Sequence, residues 1–260
     1  MKIKWYGTAS LLIESGGASI LIDPYCKNLN KKLPRVSLDE ARKADAIVIT
    51  HPHLDHFEDI DAFTVGGGVE RVYVPQIGIE IGKKMGHDTS CMVPMSEREV
   101  YEIGPFTVKT YESRHCKFDF CTLARIALSP RTYIKVGKAA GLLRGMKNYK
   151  IGERDILAFE ISDGEKRVFV FGSAGLAEGI SYPAGCDLLV FPYQGRARMH
   201  RYMEKFFSIL QPKGVFADHF DNAFPPFTHK INMKKFAETV EKHLPEARCI
   251  VPKEGEWYEV

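Results

Sequence analysis

The chain has 260 residues, 45% of them apolar, and a formal net charge of +3 at pH 7, so it is long enough to bury the core of one large α/β domain. No run approaches the roughly 18–20 uninterrupted apolar residues of a membrane-spanning helix, and residues 1–14 alternate like a strand instead of presenting a signal-peptide core; a cytoplasmic protein is expected. Six scattered cysteines (Cys26, Cys91, Cys116, Cys121, Cys186, Cys249) form no Cys-x-x-Cys pair, which excludes a zinc knuckle or dithiol redox motif and predicts reduced, mostly buried thiols.

Residues 2–5, 10–14 and 18–22 read as three short strands separated by Gly7 and by Gly16-Gly17, an antiparallel meander ending at Asp23-Pro24. Ser37 with Glu40 three residues on is a capping-box signature for a short helix, and 46–50 follows as a buried strand. A helix over 54–63 entered at His53 is predicted next. Further on, 71–74 reads as a strand, 78–85 as a helix, and 99–103 with 107–112 as a strand pair across Gly104-Pro105. Asp163-Gly164 marks a hairpin between 155–162 and 167–171. Strands at 187–191, 214–217 and 249–251 alternate with helices at 201–210 and 233–243. Gly66-Gly67-Gly68 lacks the Gly-Lys-Ser/Thr ending of a phosphate loop and reads as a flexible turn. Polar or histidine-bearing loops recur directly after strands, and loops at one edge of a layered sheet bring distant residues into one site.

The strongest such loop is His51-Pro52-His53-Leu54-Asp55-His56, which places three imidazoles and a carboxylate, all metal-ligand types, at the mouth of a strand. On a helix entered at 53, His53 and His56 share a face while Asp55 points elsewhere. One ion does not readily take all four groups, so the spacing favours two adjacent positions. A plain helix N-terminus, with Asp55 serving the dipole and the histidines solvated, is the bland alternative. Three of the chain's nine histidines within six positions weigh against it.

This His-x-His-x-Asp-His segment after an apolar strand resembles the signature of the metallo-β-lactamase-fold metal-dependent hydrolases, in their lactonase/phosphodiesterase-like branch. The resemblance implies a four-layer αββα sandwich over residues 1–260 as a single domain. It also implies a first metal site of His51, His53 and His115, and a second of Asp55, His56 and His219. Where that family has an aspartate bridging two metals, this chain has Ser173 in Gly172-Ser173-Ala174-Gly175. A neutral hydroxyl removes negative charge from between two cations, so one firmly held divalent ion is expected, zinc first with Mn, Fe or Ni as alternatives, and a weaker or absent second. Asp221 and Asp187 are considered as replacement oxygen donors. The implied activity is hydrolysis of a small ester, lactone or phosphodiester by a metal-activated water that Asp55 orients or deprotonates. A degenerate member that binds metal or ligand without turnover is the alternative.

Residues 117–150 hold eight basic residues and one acid, a local +7 that leaves −4 for the remainder. This cap-like insertion mixes apolar and cationic positions. It is read as a grip for an anionic or lipid-like substrate, as a membrane-surface contact, or as a solvated flap. No nucleic-acid partner is expected, because the remaining chain is acidic. Tyr193 and His229 lie on loops that could face a pocket, whereas His87, His200 and His243 show no partner pattern.

Overall fold

Apolar alternation folds the start of the chain as a meander in the computed structural model, which describes residues 1–26, 37–134, 136–152, 155–225 and 227–260. Strands β1 (Lys2–Gly7), β2 (Ser10–Ser15) and β3 (Ala18–Ile22) pair antiparallel. Helix α1 (Leu38–Ala41) then leads to β4 (Ala46–Val48), helices α2 (Leu54–Phe57) and α3 (Ile60–Thr64) to β5 (Val72–Pro75), and α4 (Gln76–Met85) to β6 (Met92–Met95). These helical crossovers make β3, β4, β5 and β6 parallel neighbours.

The second half repeats this plan. Strands β7 (Val100–Ile103) and β8 (Phe106–Glu112) precede three helices, α5 (Phe120–Leu128), α6 (Pro130–Ile134) and α7 (Val136–Asn148). An antiparallel pair follows, β9 (Leu157–Ser162) and β10 (Arg167–Phe171), and then β11 (Leu188–Pro192), α8 (Met199–Leu210), β12 (Gly214–Asp218), α9 (Lys234–His243) and β13 (Arg248–Ile250). Last, β14 (Trp257–Glu259) returns to pair with β1. Two seven-stranded mixed sheets result, ordered β14-β1-β2-β3-β4-β5-β6 and β13-β12-β11-β10-β9-β8-β7.

Period-two alternation divides the first sheet between two environments. Ile3, Trp5, Leu11, Ile13, Ile20 and Ile22 join the core shared with the second sheet. Leu12, Leu21, Ile47, Ile49 and Val72 pack instead with Phe57, Phe63 and Ile81 of the helices outside. On the second sheet, Phe206 of α8 meets the edges of Phe171 and Phe191 at centroid distances of 5.0 and 4.9 Å. The layers therefore run helix, sheet, sheet, helix, the αββα sandwich that the motif implied.

Three expectations need correction. Ser37 makes no side-chain cap, because Glu40 instead accepts hydrogen bonds from Lys4 Nζ and the Tyr6 hydroxyl, partners on the sheet below. The helix expected over 54–63 breaks in two at Glu58-Asp59, where the Asp59 carboxylate accepts the Cys26 N–H at 2.6 Å. Of the six free cysteines only Cys116 and Cys186 are buried, while Cys121 and Cys249 are exposed. Strands β6 and β14 gave no sequence signal, since both are short edge strands and β6 carries Pro94. The basic stretch folds as α5 to α7; its Lys135 lies outside the described residues. No helix among the described residues is long and apolar enough to cross a membrane.

Phe169, fully buried on β10 among Phe171, Tyr111 and Tyr182, ties the hairpin to its surroundings. Phe169→Ala is expected to cost about 3–5 kcal/mol in denaturant-induced unfolding, the range for emptying a buried aromatic site.

Candidate metal centre

The strand ends converge. β4 delivers Thr50 and the segment 51–56, β8 delivers Ser113 to His115, the turn after β10 delivers Ser173, and β12 delivers His219. His53 has extended backbone (φ −73°, ψ 162°) and caps α2 instead of sitting on it. The helical pairing of His53 with His56 is therefore wrong. His51, His53 and His115 offer ligand atoms within 4.8 Å of one another, and Asp55, His56 and His219 do the same. The ring centroids of His51 and His56 lie 4.0 Å apart, so the two trios abut.

Proton counting around Asp23 fixes how the imidazoles face. Asp23, buried at the end of β3, accepts the Thr50 N–H at Oδ1 (2.7 Å) and the Thr50 hydroxyl at Oδ2 (2.5 Å). The one hydroxyl proton of Thr50 is thus spent, so toward His51 Nδ1 (2.9 Å) its oxygen can only accept. Protonated at Nδ1, His51 turns a bare Nε2 inward, and that buried atom has no partner. His56 donates its Nδ1 proton to Asp23 Oδ2 at 2.8 Å, His115 its own to the Cys116 carbonyl at 3.0 Å, and His219 its own to Gln194 Oε1 at 3.0 Å. Outer partners that hold one ring nitrogen protonated leave the other free to ligate. The orphaned His51 nitrogen and the three-imidazole donor set fit a borderline divalent cation such as zinc.

The two trios differ electrostatically. Burial, reinforced by the neighbouring imidazoles, pushes His51 well below its ordinary pKa. The same pair of causes brings His53 down to about 4, and burial lowers His115. In the second trio burial also favours the neutral ring, but the Asp55 carboxylate overrides it, and His219 is pushed up to about 9. His56 rises for the same reason, helped by Asp23. Burial opposes ionisation of Asp55, yet the charge of His56 and the hydrogen bond from His219 Nε2 at 3.1 Å hold it far below the carboxylate range. Without an ion, the first trio is neutral and the second is paired through protons that a cation would have to displace.

Ser173 is buried, and its hydroxyl accepts the Cys116 N–H at 2.9 Å. The turn around it is tightly wedged. A Cβ on Gly172 would lie 1.9 Å from Thr50 Oγ1, and one on Gly175 would lie 1.9 Å from the Arg114 carbonyl oxygen. Neither suggested replacement donor joins a trio. Asp187 sits before β11, at the end remote from Gln194, and binds Lys213 at 3.0 Å; Asp221 Oδ2 accepts the Thr8 N–H at 3.0 Å. Tyr193 is core, edge-on to Phe236, and His229 is exposed. Sequence reading missed Asp23, Thr50, Gln194 and Asp218. The last is a buried carboxyl with an orphaned Oδ1, pushed up to about 8 by burial. The signal for Asp23 was its place just past a strand, the position that drew attention to His51.

A family model described as a Beta-lactamase superfamily domain matches residues 2–168. The chain therefore belongs to the β-lactamase superfamily. A UPF0173 metal-dependent hydrolase of Pyrobaculum islandicum is 32% identical over 106 residues, 40% of this chain and 45% of that relative. The chain spans less than half the length of the curated relatives first matched. Among solved structures, the metallo-β-lactamase fold protein YhfI of Bacillus subtilis superposes with a TM-score of 0.67 at 18% identity, covering 99% of both chains. Zn2+-bound PqqB of Methylobacterium extorquens superposes at 0.63 with 14% identity, covering all of both chains. At these identities the two structures attest the fold.

Asp23→Asn replaces an acceptor of three hydrogen bonds by a group that must turn a donor toward Thr50 or His56. Affinity for zinc, measured by competition with a chromogenic chelator, is expected to fall about 10–100-fold.

Proposed function

We propose that the protein is a metal-dependent hydrolase of the cytoplasm acting on a small ester, lactone or phosphodiester, with zinc as the ion held first. The observation that carries this reading is the pair of abutting trios in which His51, His56, His115 and His219 are each pinned at Nδ1, His51 with a buried, unpartnered Nε2. His51, His53 and His115 would hold the ion. A divalent ion so held supplies Lewis acidity, polarising a substrate oxygen and bringing the pKa of water toward neutrality.

Asp55 orients the attacking water. Its strongly acidic carboxylate makes it a hydrogen-bond acceptor and a poor store for a proton at neutral pH. Thr50 and Asp23 hold the His51 and His56 rings in place on either side of the junction between the trios. Ser173 puts no charge between the trios, and protons compete at His219 and His56, so the second trio binds its ion weakly. His53→Ala is expected to abolish turnover of an ester, lactone and phosphodiester panel, as is chelation of the wild type. Silence of metal-replete wild type across that panel would sink the proposal.

Ser173 also motivates a second reading, in which metal binding is structural and nothing is turned over. Removing metal would then lower the thermal midpoint while assays stay silent, and robust wild-type turnover would eliminate it. Elemental analysis is expected to find about one ion per chain, and Ser173→Asp to raise the count toward about two, because a bridging carboxylate offsets the repulsion between cations. A wild-type count of two would refute the asymmetry.

A further inference from the structure

We propose that helices α5 to α7 form a docking surface for an anionic lipid bilayer. Thirteen large hydrophobic residues are exposed among those described, and eight of them fall between Phe118 and Met146. Helix α5 buries none of its residues; Phe120 is 83% and Leu128 78% exposed, and Ile134 of α6 is 80% exposed. On α5 the spacing of Phe120, Leu123, Ala124, Ala127 and Leu128 puts them along one side of the helix, with Arg125 flanking them. Loose packing does not explain this exposure, because the segment is anchored. Leu142 and Tyr149 are buried in the helix-side core, the α7 backbone at Gly145 lies against Leu54, and the Tyr149 hydroxyl donates to His87 Nε2 at 3.2 Å. These contacts sit at and just past the C-terminal end of α7, where Leu143, Arg144, Met146 and Lys147 are left exposed.

Charge chooses the occupant. The segment carries +7 in a chain whose remainder is −4. Arg125, Arg144, Lys147 and Lys150 are exposed, with no ion-pair partner among the described residues. The segment's one acid, Asp119, is spent as the cap of α5, accepting the Thr122 N–H at 2.7 Å and the Ala197 N–H at 3.0 Å. Apolar side chains set among unneutralised cations match the interfacial layer of a bilayer with acidic headgroups, where acyl chains receive the former and the surface potential attracts the latter. A second copy meeting the same face would bring two strongly positive surfaces together. The segment meets the chain beside the candidate metal centre at two points: Gly145 lies against Leu54, which sits between His53 and Asp55, and Asp119 holds the Ala197 N–H three residues after Gln194. This inference stands apart from the hydrolase reading, since it concerns binding alone.

The test is co-sedimentation of the full chain with vesicles of phosphatidylcholine alone or mixed with phosphatidylserine, at low and high salt. Expected is retention on the mixed vesicles, at least about tenfold weaker on the neutral ones and reduced by salt. Retention should be lost in Phe120→Ser/Leu128→Ser/Ile134→Ser and in Arg144→Glu/Lys147→Glu. All five side chains are exposed, so thermal midpoint and zinc content should match the wild type and separate lost docking from lost folding. Wild-type protein remaining in the supernatant, equal retention on neutral vesicles, or variants that sediment like wild type would each overturn the proposal. So would a dimer in sedimentation velocity that the triple variant dissolves while vesicle binding is absent, since the face then receives a second copy.

Discussion

Three hydrogen bonds into one buried carboxylate hold the centre together. Asp23 takes the Thr50 amide, the Thr50 hydroxyl and the His56 ring, and through the hydroxyl it also decides which nitrogen of His51 is bare. The carboxylate reaches this place because Asp23 adopts φ 44°, a left-handed conformation that strands do not use but that aspartate tolerates. Thr50 in turn offers its carbonyl to the Leu157 N–H at 2.9 Å, so the same residue is sewn to the second sheet. A link between the two sheets and the orientation of His51 and His56 are thus settled in one place. The bare glycine edge of the Ser173 turn fits against Thr50 for the same reason, as any side chain there would push the hydroxyl off the carboxylate.

The charge pattern that follows is uneven. His51, His53 and His115 crowd one another, and the desolvation they share outweighs the pull of Asp55 on His53 and His115, so neutrality suits them. His56 and His219 share Asp55, whose negative charge is answered by protons. An aspartate at 173 would add a second negative charge to balance a second ion; a serine adds only dipoles. The charge asymmetry is therefore built twice, once in the neutral hydroxyl of Ser173 and again in the protons on His56 and His219.

Much of this was legible beforehand because it is local. Alternation in 2–22 and the Asp-Gly turn at 163–164 specify hairpins without help from the rest of the chain, and both formed. The crowding of His51 to His56 marks a centre by composition alone. What depended on tertiary contacts was misread or unseen. Glu40 looked like a capping residue until Lys4 and Tyr6 outbid the helix end for it. His53 looked helical until the turn after Pro52 placed it beside His115, at a centroid distance of 4.9 Å. Asp23 and Gln194 act through partners 27 and 25 residues away, a range at which no periodicity speaks. The edge strands β6 and β14 exist because a neighbour offers them free backbone groups, not because their own residues demand it.

His219 carries one more consequence. Its backbone lies at φ 53°, with the N–H held by the Thr8 carbonyl at 2.8 Å, in a region open chiefly to glycine, asparagine, aspartate and histidine. Of those four, only aspartate and histidine are strong metal ligands. Cysteine and glutamate, common elsewhere as ligand exchanges, are disfavoured here by the backbone before any chemistry is weighed. The accessible exchange at this position runs from nitrogen to carboxylate oxygen, and so toward a preference for harder ions such as manganese or magnesium. The curl of a single residue thereby narrows the metals that descendants of this centre can come to use.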